Sequence, residues 1–462
     1  MAQTGYEINV TFKPFRNEYI YLGHYFGKQY PIIDSAKLDE NSQAVFRGTK
    51  NLQGGIYLVG YPGKAGFFEI LVDKDQHFSV TADTATIRKG LVFQGSADNE
   101  LFNAYQQLMI AKGTEIAKAR NQLSTATGRA DSARLKKIIS DNDSLVRTYR
   151  EKIIRENPNN ILSTLLLAMR EPQLPVTMRN PANREDSMRT YRYFKDHFWD
   201  NVNFWDGRLA YTTFFEDKLD QYFNTLVVPQ PDSVIREMDY MLGFASINEE
   251  MTRFLLLKFL NRYLNQKYMW EDAVFVHLFE KYFAQKNYSW LTEAGRKTIT
   301  DRAYSLMANI MGNPASDIVL PDSSGVMHSL YGDSTAPFTI VAFWDPTCGH
   351  CREVVPKLDS MYHAKWKKLG LRLFSVAKET DGTRKDWLKF INEHHLQDWT
   401  HVYYSRADEK ARIDAGIPGY SQLYDVQTFP TLYLLDKDKR IVAKKLSWEQ
   451  TDEVLQVKMK GQ

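Results

Sequence analysis

Trp344-Asp345-Pro346-Thr347-Cys348-Gly349-His350-Cys351 holds the only two cysteines of the 462-residue chain, spaced Cys-x-x-Cys. Before it, Phe338 to Trp344 is a largely apolar run of strand length, and after it Cys351 to Met361 has helical periodicity. The pair therefore falls where a strand hands over to a helix N-terminus, the end of a helix that favours negative charge. A first thiol at that point is expected to be exposed and to react as a thiolate. A second, one turn further in, can close on a mixed disulfide formed by the first. Cys348 is the expected nucleophile and Cys351 the expected resolving thiol.

Other uses of two cysteines fit less well. A structural zinc site needs four ligands, and no second Cys or Cys/His pair exists. The histidines show no ligand spacing beyond adjacent His394-His395, and Asp141-Asn142-Asp143 and Asp73-Lys74-Asp75 lack the Gly and distal Glu of a calcium loop. No metal and no cofactor is expected. A purely structural disulfide over so short a loop would constrain the unfolded chain little. A peroxidatic cysteine would ask for Pro and Thr where this chain has Val341 and Asp345. Gly349 and His350 are the candidate thiol-tuning residues: His350 is placed to stabilise the Cys348 thiolate by charge or hydrogen bond, and Gly349-His350 is also the dipeptide of protein disulfide isomerase.

Two further features extend the motif into a fold. Pro356 lies inside the expected helix, where it should kink it, and Thr428-Phe429-Pro430-Thr431 precedes the apolar strand Leu432-Tyr433-Leu434-Leu435. The combination resembles the thioredoxin fold over residues 313–462. On that resemblance Pro430 matches the cis-proline facing the Cys pair, and the backbone of Phe429 is the edge to which a substrate peptide adds as a strand. Trp344, Phe429 and Pro430 are the expected substrate-binding residues. The chain between Cys351 and Pro430 is longer than a minimal thioredoxin needs and includes a strand, Leu371 to Ala377, and a helix, Arg384 to His394. The leader from Gly312 to Val326 is similar to the hairpin that opens extracytoplasmic TlpA/ResA-like thioredoxins. Two departures stand out. The buried acid that thioredoxins often carry before the first Cys is replaced by Ala342, and the Glu that TlpA/ResA-like proteins use after the second is replaced by Val354, with Glu353 on another helix face. Asp345 and Glu379 are the remaining candidates to accept the proton of Cys351.

Composition narrows partner and compartment. With 59 basic against 56 acidic residues there is no field for nucleic acid or anionic membrane. No apolar run approaches the ~18 residues of a spanning helix. The chain opens Met1-Ala2-Gln3-Thr4-Gly5, polar from the start, which reads as a form whose leader has been replaced by an initiating Met. The absence of stray thiols and the TlpA/ResA resemblance suit the periplasm or cell envelope of a bacterium. The expected partners are protein disulfide or dithiol substrates and a membrane or envelope electron donor.

The first 312 residues carry architecture without a chemical motif. Tyr6 to Phe12, Tyr19 to Leu22, Val45-Phe46, Ile56 to Val59, Phe67 to Val72 and Phe78 to Ala82 read as strands at hairpin spacing, predicting a β-sandwich over residues 1–96. Residues 97–312 change to helical periodicity, with Leu101 to Leu123 paired to the helix marked by Leu135, Leu145 and Ile153, a turn at Gly128, and a last helix from Thr292 to Gly312. The aromatic stretch Tyr191 to Phe223 reads as helical core, or alternatively as a groove for unfolded polypeptide. The order of β-domain, helical domain and thioredoxin domain resembles secreted bacterial thiol-disulfide oxidoreductases with N-terminal domains of unknown function. The implied activity is thiol-disulfide exchange, with the N-terminal domains serving recognition or homodimerisation. The alternative is a partner-binding envelope protein whose redox site is secondary.

Overall fold

The structure is a computed structural model that describes residues 4–87, 90–332, 335–381 and 383–460. Met1–Gln3, where the question of a leader falls, lie outside the described residues.

Alternating apolar side chains build the N-terminal strands. β1 (Tyr6–Lys13) buries Ile8, Val10 and Phe12, and β2 (Tyr19–His24), β3 (Ile32–Lys37), β4 (Gln43–Gly48), β5 (Gly55–Gly60), β6 (Phe67–Val72), β7 (His77–Asp83) and β8 (Val92–Gln94) follow. They form two four-stranded sheets, ordered β4-β1-β7-β8 and β3-β2-β5-β6. Phe12 of the first meets Phe68 of the second with ring centroids 5.4 Å apart, so the sheets face each other across an apolar layer, as in a sandwich. β1 runs antiparallel to β4 and parallel to β7. β3 and β8 are absent from the sequence reading: β3 is an exposed edge strand without a buried face, and β8 has only 3 residues.

From Ala97 the period becomes helical. α1 (Ala97–Thr125), capped by Ser96 through the Asn99 amide, and α2 (Arg129–Glu156), with Gly128 as N-cap, form the expected pair. α3 (Ile161–Ala168), α4 (Arg184–Asp196), α5 (Phe214–Thr225), α6 (Pro231–Ala245), α7 (Glu249–Tyr263), α8 (Glu271–Leu278) and α9 (Glu293–Met307) continue the helical region. In the aromatic stretch Phe198, Phe204, Leu209, Phe215, Leu219 and Phe223 are buried, which makes it core.

By compactness the chain divides into two units, Met1–Val228 with Arg236–Lys258, and Pro229–Ile235 with Phe259–Gln462. This division groups α8 and α9 with the C-terminal sheet. The physical reason is polar and buried. Lys444 Nζ donates to Asp272 of α8 and, at 2.6 Å, to the Asn309 carbonyl beyond α9, while Arg302 of α9 donates to Asp425 at 2.6 Å.

In the second unit a short antiparallel hairpin, β9 (Val319–Pro321) and β10 (Met327–Ser329), precedes β11 (Phe338–Trp344), α10 (Gly349–Met361), β12 (Arg372–Lys378), α11 (Arg384–Glu393) and β13 (Thr400–Tyr404). α12 (Arg406–Asp414), α13 (Tyr420–Leu423), β14 (Thr431–Asp436), β15 (Ile441–Lys444) and α14 (Trp448–Lys460) complete it. The sheet order is β13-β12-β11-β14-β15, with β11 parallel to β12 and antiparallel to β14. β11 is buried at every position, as its apolar run predicts for a central strand covered on both faces. Its alternation feeds two cores: Ile340, Ala342 and Trp344 pack with Cys351, Leu358 and Trp387, while Val341 and Phe343 pack with Phe374, Tyr424 and Tyr433. Asn313 to Ala315 lie along β15 through backbone bonds to Ile441 and Lys439, each 2.9 Å, which covers that edge of the sheet.

Candidate thiol site

The site is the turn between β11 and α10. Beyond Trp344 the Asp345 carbonyl accepts the Cys348 amide at 3.2 Å, and Asp345 Oδ1 accepts both the amide and the hydroxyl of Thr347 at 2.7 Å. An Asp closing its own turn two residues on is a local device that needs no tertiary partner. It places Cys348 at the N-cap of α10, half-exposed, and Cys351 one turn in, with no exposed surface. Both thiols are free.

Register brings the second half of the site to the first. Phe343 of β11 lies opposite Thr431 of β14, so the residues just before Thr431 stand beside the strand-to-helix turn. The Phe429-Pro430 peptide is cis, and the Phe429 carbonyl accepts from Cys348 Sγ at 3.9 Å. The exposed thiol and the backbone expected to align a substrate strand are therefore adjacent.

The two thiols differ in environment. Burial pushes the Cys351 thiol well above its ordinary value. A backbone hydrogen bond with Asp345 opposes this, whereas the charges of Cys348 and Asp345 add to it. Cys351 therefore keeps its proton until a base removes it.

Of the other sequence candidates, Trp344 requires a correction. It was expected to meet substrate, but it is fully buried, its Nε1 donates to Ser375 Oγ at 2.7 Å and its ring lies 5.1 Å from Phe390. It shares the strand face of Ile340 and Ala342, the face that α10 covers, so it is core beneath the site. His350 is exposed on the first turn of α10 and has no hydrogen-bond or ion-pair partner among the described residues. A Cβ at Gly349 would meet nothing within 4 Å, so close approach does not require glycine there. Ala342 is buried, Val354 packs against the same core, and Glu353 is exposed, as their positions predict. Of the two remaining acids, Glu379 accepts the Arg406 amide at the start of α12, whereas Asp345 is 2% exposed and borders Cys351. Thr347, which holds Asp345, is the site residue that sequence reasoning missed, although Asp-x-Thr is itself a turn signal.

Against known families, residues 338–441 match the model described as thioredoxin-like. This part of the chain is thioredoxin-like. Residues 6–102 and 136–306 match two families described only as domains of unknown function. No curated protein matches the chain. Among solved structures, a thioredoxin-like protein from Bacteroides caccae is 21% identical, with 62% of this chain and 98% of that chain covered and a TM-score of 0.46. The thioredoxin domain of a thiol-disulfide oxidoreductase from Bacteroides vulgatus is 28% identical, covering 32% and 95%, with a TM-score of 0.26. A thiol:disulfide interchange protein from a Bacteroides species is 29% identical, covering 32% and 90%, with a TM-score of 0.27. The chain thus joins a β-rich region, a helical region and a thioredoxin-like α/β domain built on a five-stranded sheet.

Proposed function

We propose that the protein is a TlpA/ResA-like thiol-disulfide oxidoreductase that reduces protein disulfides in the bacterial envelope. The observation that carries this reading is the unequal exposure of two free thiols on one helical turn, the outer one facing the Phe429 carbonyl. Cys348, as thiolate, attacks a substrate disulfide, forming a mixed disulfide and releasing one substrate thiolate. Cys351 then attacks Cys348 Sγ, forming the Cys348–Cys351 disulfide and releasing the second substrate thiolate. The substrate gains two electrons and the site loses two, so an envelope dithiol donor must reduce the site again. The Phe429-Pro430 backbone aligns the substrate as an added strand, and His350 tunes Cys348. Residues 313–462 carry this chemistry, and residues 1–96 and 97–312 select partners or pair two copies. An envelope location is supported by a chain that spends both of its cysteines on this site.

The test is a trap. Cys351→Ala in the full chain should accumulate disulfide-linked partners, Cys348→Ala should accumulate none, and brief alkylation of the reduced protein should label Cys348 and spare Cys351. Failure to reduce insulin, together with unchanged partner binding when both cysteines are replaced, would transfer the function to the N-terminal regions and sink this reading.

A further inference from the structure

Resolution of the mixed disulfide requires Cys351 to lose its proton, and Cys351 is a thiol with no exposed surface, in a domain where Ala342 and Val354 stand at the positions of the usual acids. Among the described residues, the carboxylate whose charge acts on this thiol is that of Asp345. Asp345 is 2% exposed, its backbone hydrogen-bonds the Cys351 thiol and its charge acts on that sulfur. Thr347 occupies Oδ1 with two donors, while Oδ2 accepts no hydrogen bond and no cation pairs with the group among the described residues. A buried carboxylate without a counter-ion is costly, and such groups concentrate where a proton must move.

We propose that Asp345 is the base that takes the proton of Cys351 in the resolving step, a role that rests on the oxidoreductase reading above. The balance is local. The Cys351 S–H proton passes to Asp345 Oδ2, the Cys351 thiolate forms the S–S bond to Cys348, the Cys348–substrate bond breaks, and the departing substrate thiolate takes a proton from solvent or from Asp345. The ionisable groups that act on the Cys351 thiol are Cys348 and Asp345. Tyr403 of β13 feels the charge of Asp345. Its hydroxyl is buried without a hydrogen-bond partner and is pushed up to about 12, by burial first and then by Glu379 and Asp345, so it stays protonated and does not compete as acceptor. His350 and Glu353, on α10 itself, are exposed.

The closing experiment separates the two chemical steps. With a symmetric nitrothiobenzoate disulfide as probe, the full-length reduced protein releases one coloured thiolate when Cys348 attacks and a second when Cys351 resolves. Asp345→Asn keeps the size of the side chain and an oxygen for Thr347. The first release should stay within about twofold of the native rate, and the second should slow roughly 10- to 100-fold near neutral pH. The second step of the variant should climb more steeply with pH than that of the native protein, as hydroxide replaces the lost base. Asp345→Glu should restore part of the rate. A second release as fast as native in Asp345→Asn, or a first release slowed equally, would overturn the role of Asp345. Absence of any first release from the native protein would instead overturn the oxidoreductase reading itself.

Discussion

Replacing Asp272 by Asn should unfold the second unit far more readily than any surface change. Lys444 and Asp272 have side chains only 2% and 5% exposed, and the lysine is otherwise held by the backbone and side-chain oxygens of Asn309. Burial pushes the Asp272 carboxyl up and the Lys444 ammonium down, and each partner offsets part of the other's shift. Asp272→Asn removes the counter-ion and leaves a buried cation, a change that costs about 3–5 kcal/mol. An independent bound agrees. The domain can escape the charge by releasing the lysine proton, which at pH 7 costs at most about 1.4 kcal/mol for each of the ~3.4 pH units up to the ordinary lysine value, close to 5 kcal/mol. The sign of the pH dependence follows. The unfolded chain holds the Lys444 proton to higher pH than the folded one, so the stability of the variant should rise with pH towards about 10. Urea unfolding followed by tryptophan fluorescence reads both effects. The double change Asp272→Asn with Lys444→Met should recover most of the loss, because it removes the charge and keeps the length. A loss below about 1 kcal/mol in Asp272→Asn, or no recovery in the double variant, would refute the claim that this pair decides where the unit ends.

Other outcomes are sharper than they are large. His350→Ala should move the Cys348/Cys351 potential, expected at about −180 to −230 mV, towards thioredoxin's roughly −270 mV in equilibration with glutathione; an unmoved potential would remove His350 from the tuning of Cys348. Trp344→Ala should cost about 3–5 kcal/mol in denaturant unfolding while leaving the KM of the surviving folded protein for a peptide disulfide unchanged, since the indole is core. In the first unit the Lys218 ammonium, which donates to the Ala168 and Arg170 carbonyls at 2.8 Å each, is pushed down to about 8 by burial, with Glu171 opposing. Between about pH 8 and pH 10 the unfolded chain holds that proton and the folded one does not, so stability should rise across the interval, and Lys218→Met should flatten the rise in a pH series of urea melts.

What the sequence made legible follows from how local each signal is. The run Phe338 to Trp344 is apolar but for Thr339 because β11 is covered on both faces, and the helix start, the cysteines and Asp345 all follow within eight residues of its end, so the turn could be read off in order. Phe429-Pro430 was legible through resemblance, and the register Phe343 opposite Thr431 supplies the physical link that resemblance lacked. Long-range pairing was not legible. Lys444 reads as a strand end running into solvent, because lysine is almost never buried without a partner, and its partner stands 172 positions earlier on a helix that reads as part of another domain. Trp344 was misassigned for a related reason: an aromatic next to a reactive motif suggests contact with substrate, whereas strand parity puts it with Ile340 and Ala342. β3 escaped because alternation marks only strands that have a buried side.

The place of β1 between β4 and β7 bears on how the molecule is made. β1 is synthesised before both of its neighbours, and they are separated from it by stretches of very different length, since Ile8 pairs with Phe46 on one side and with Phe78 on the other. A chain halted before His77 has synthesised β1 without the strand that closes its parallel edge, leaving a row of unpaired amides and carbonyls open to other nascent chains until β7 arrives. Deleting β1 would likewise split a sheet down its middle, so deletions belong elsewhere.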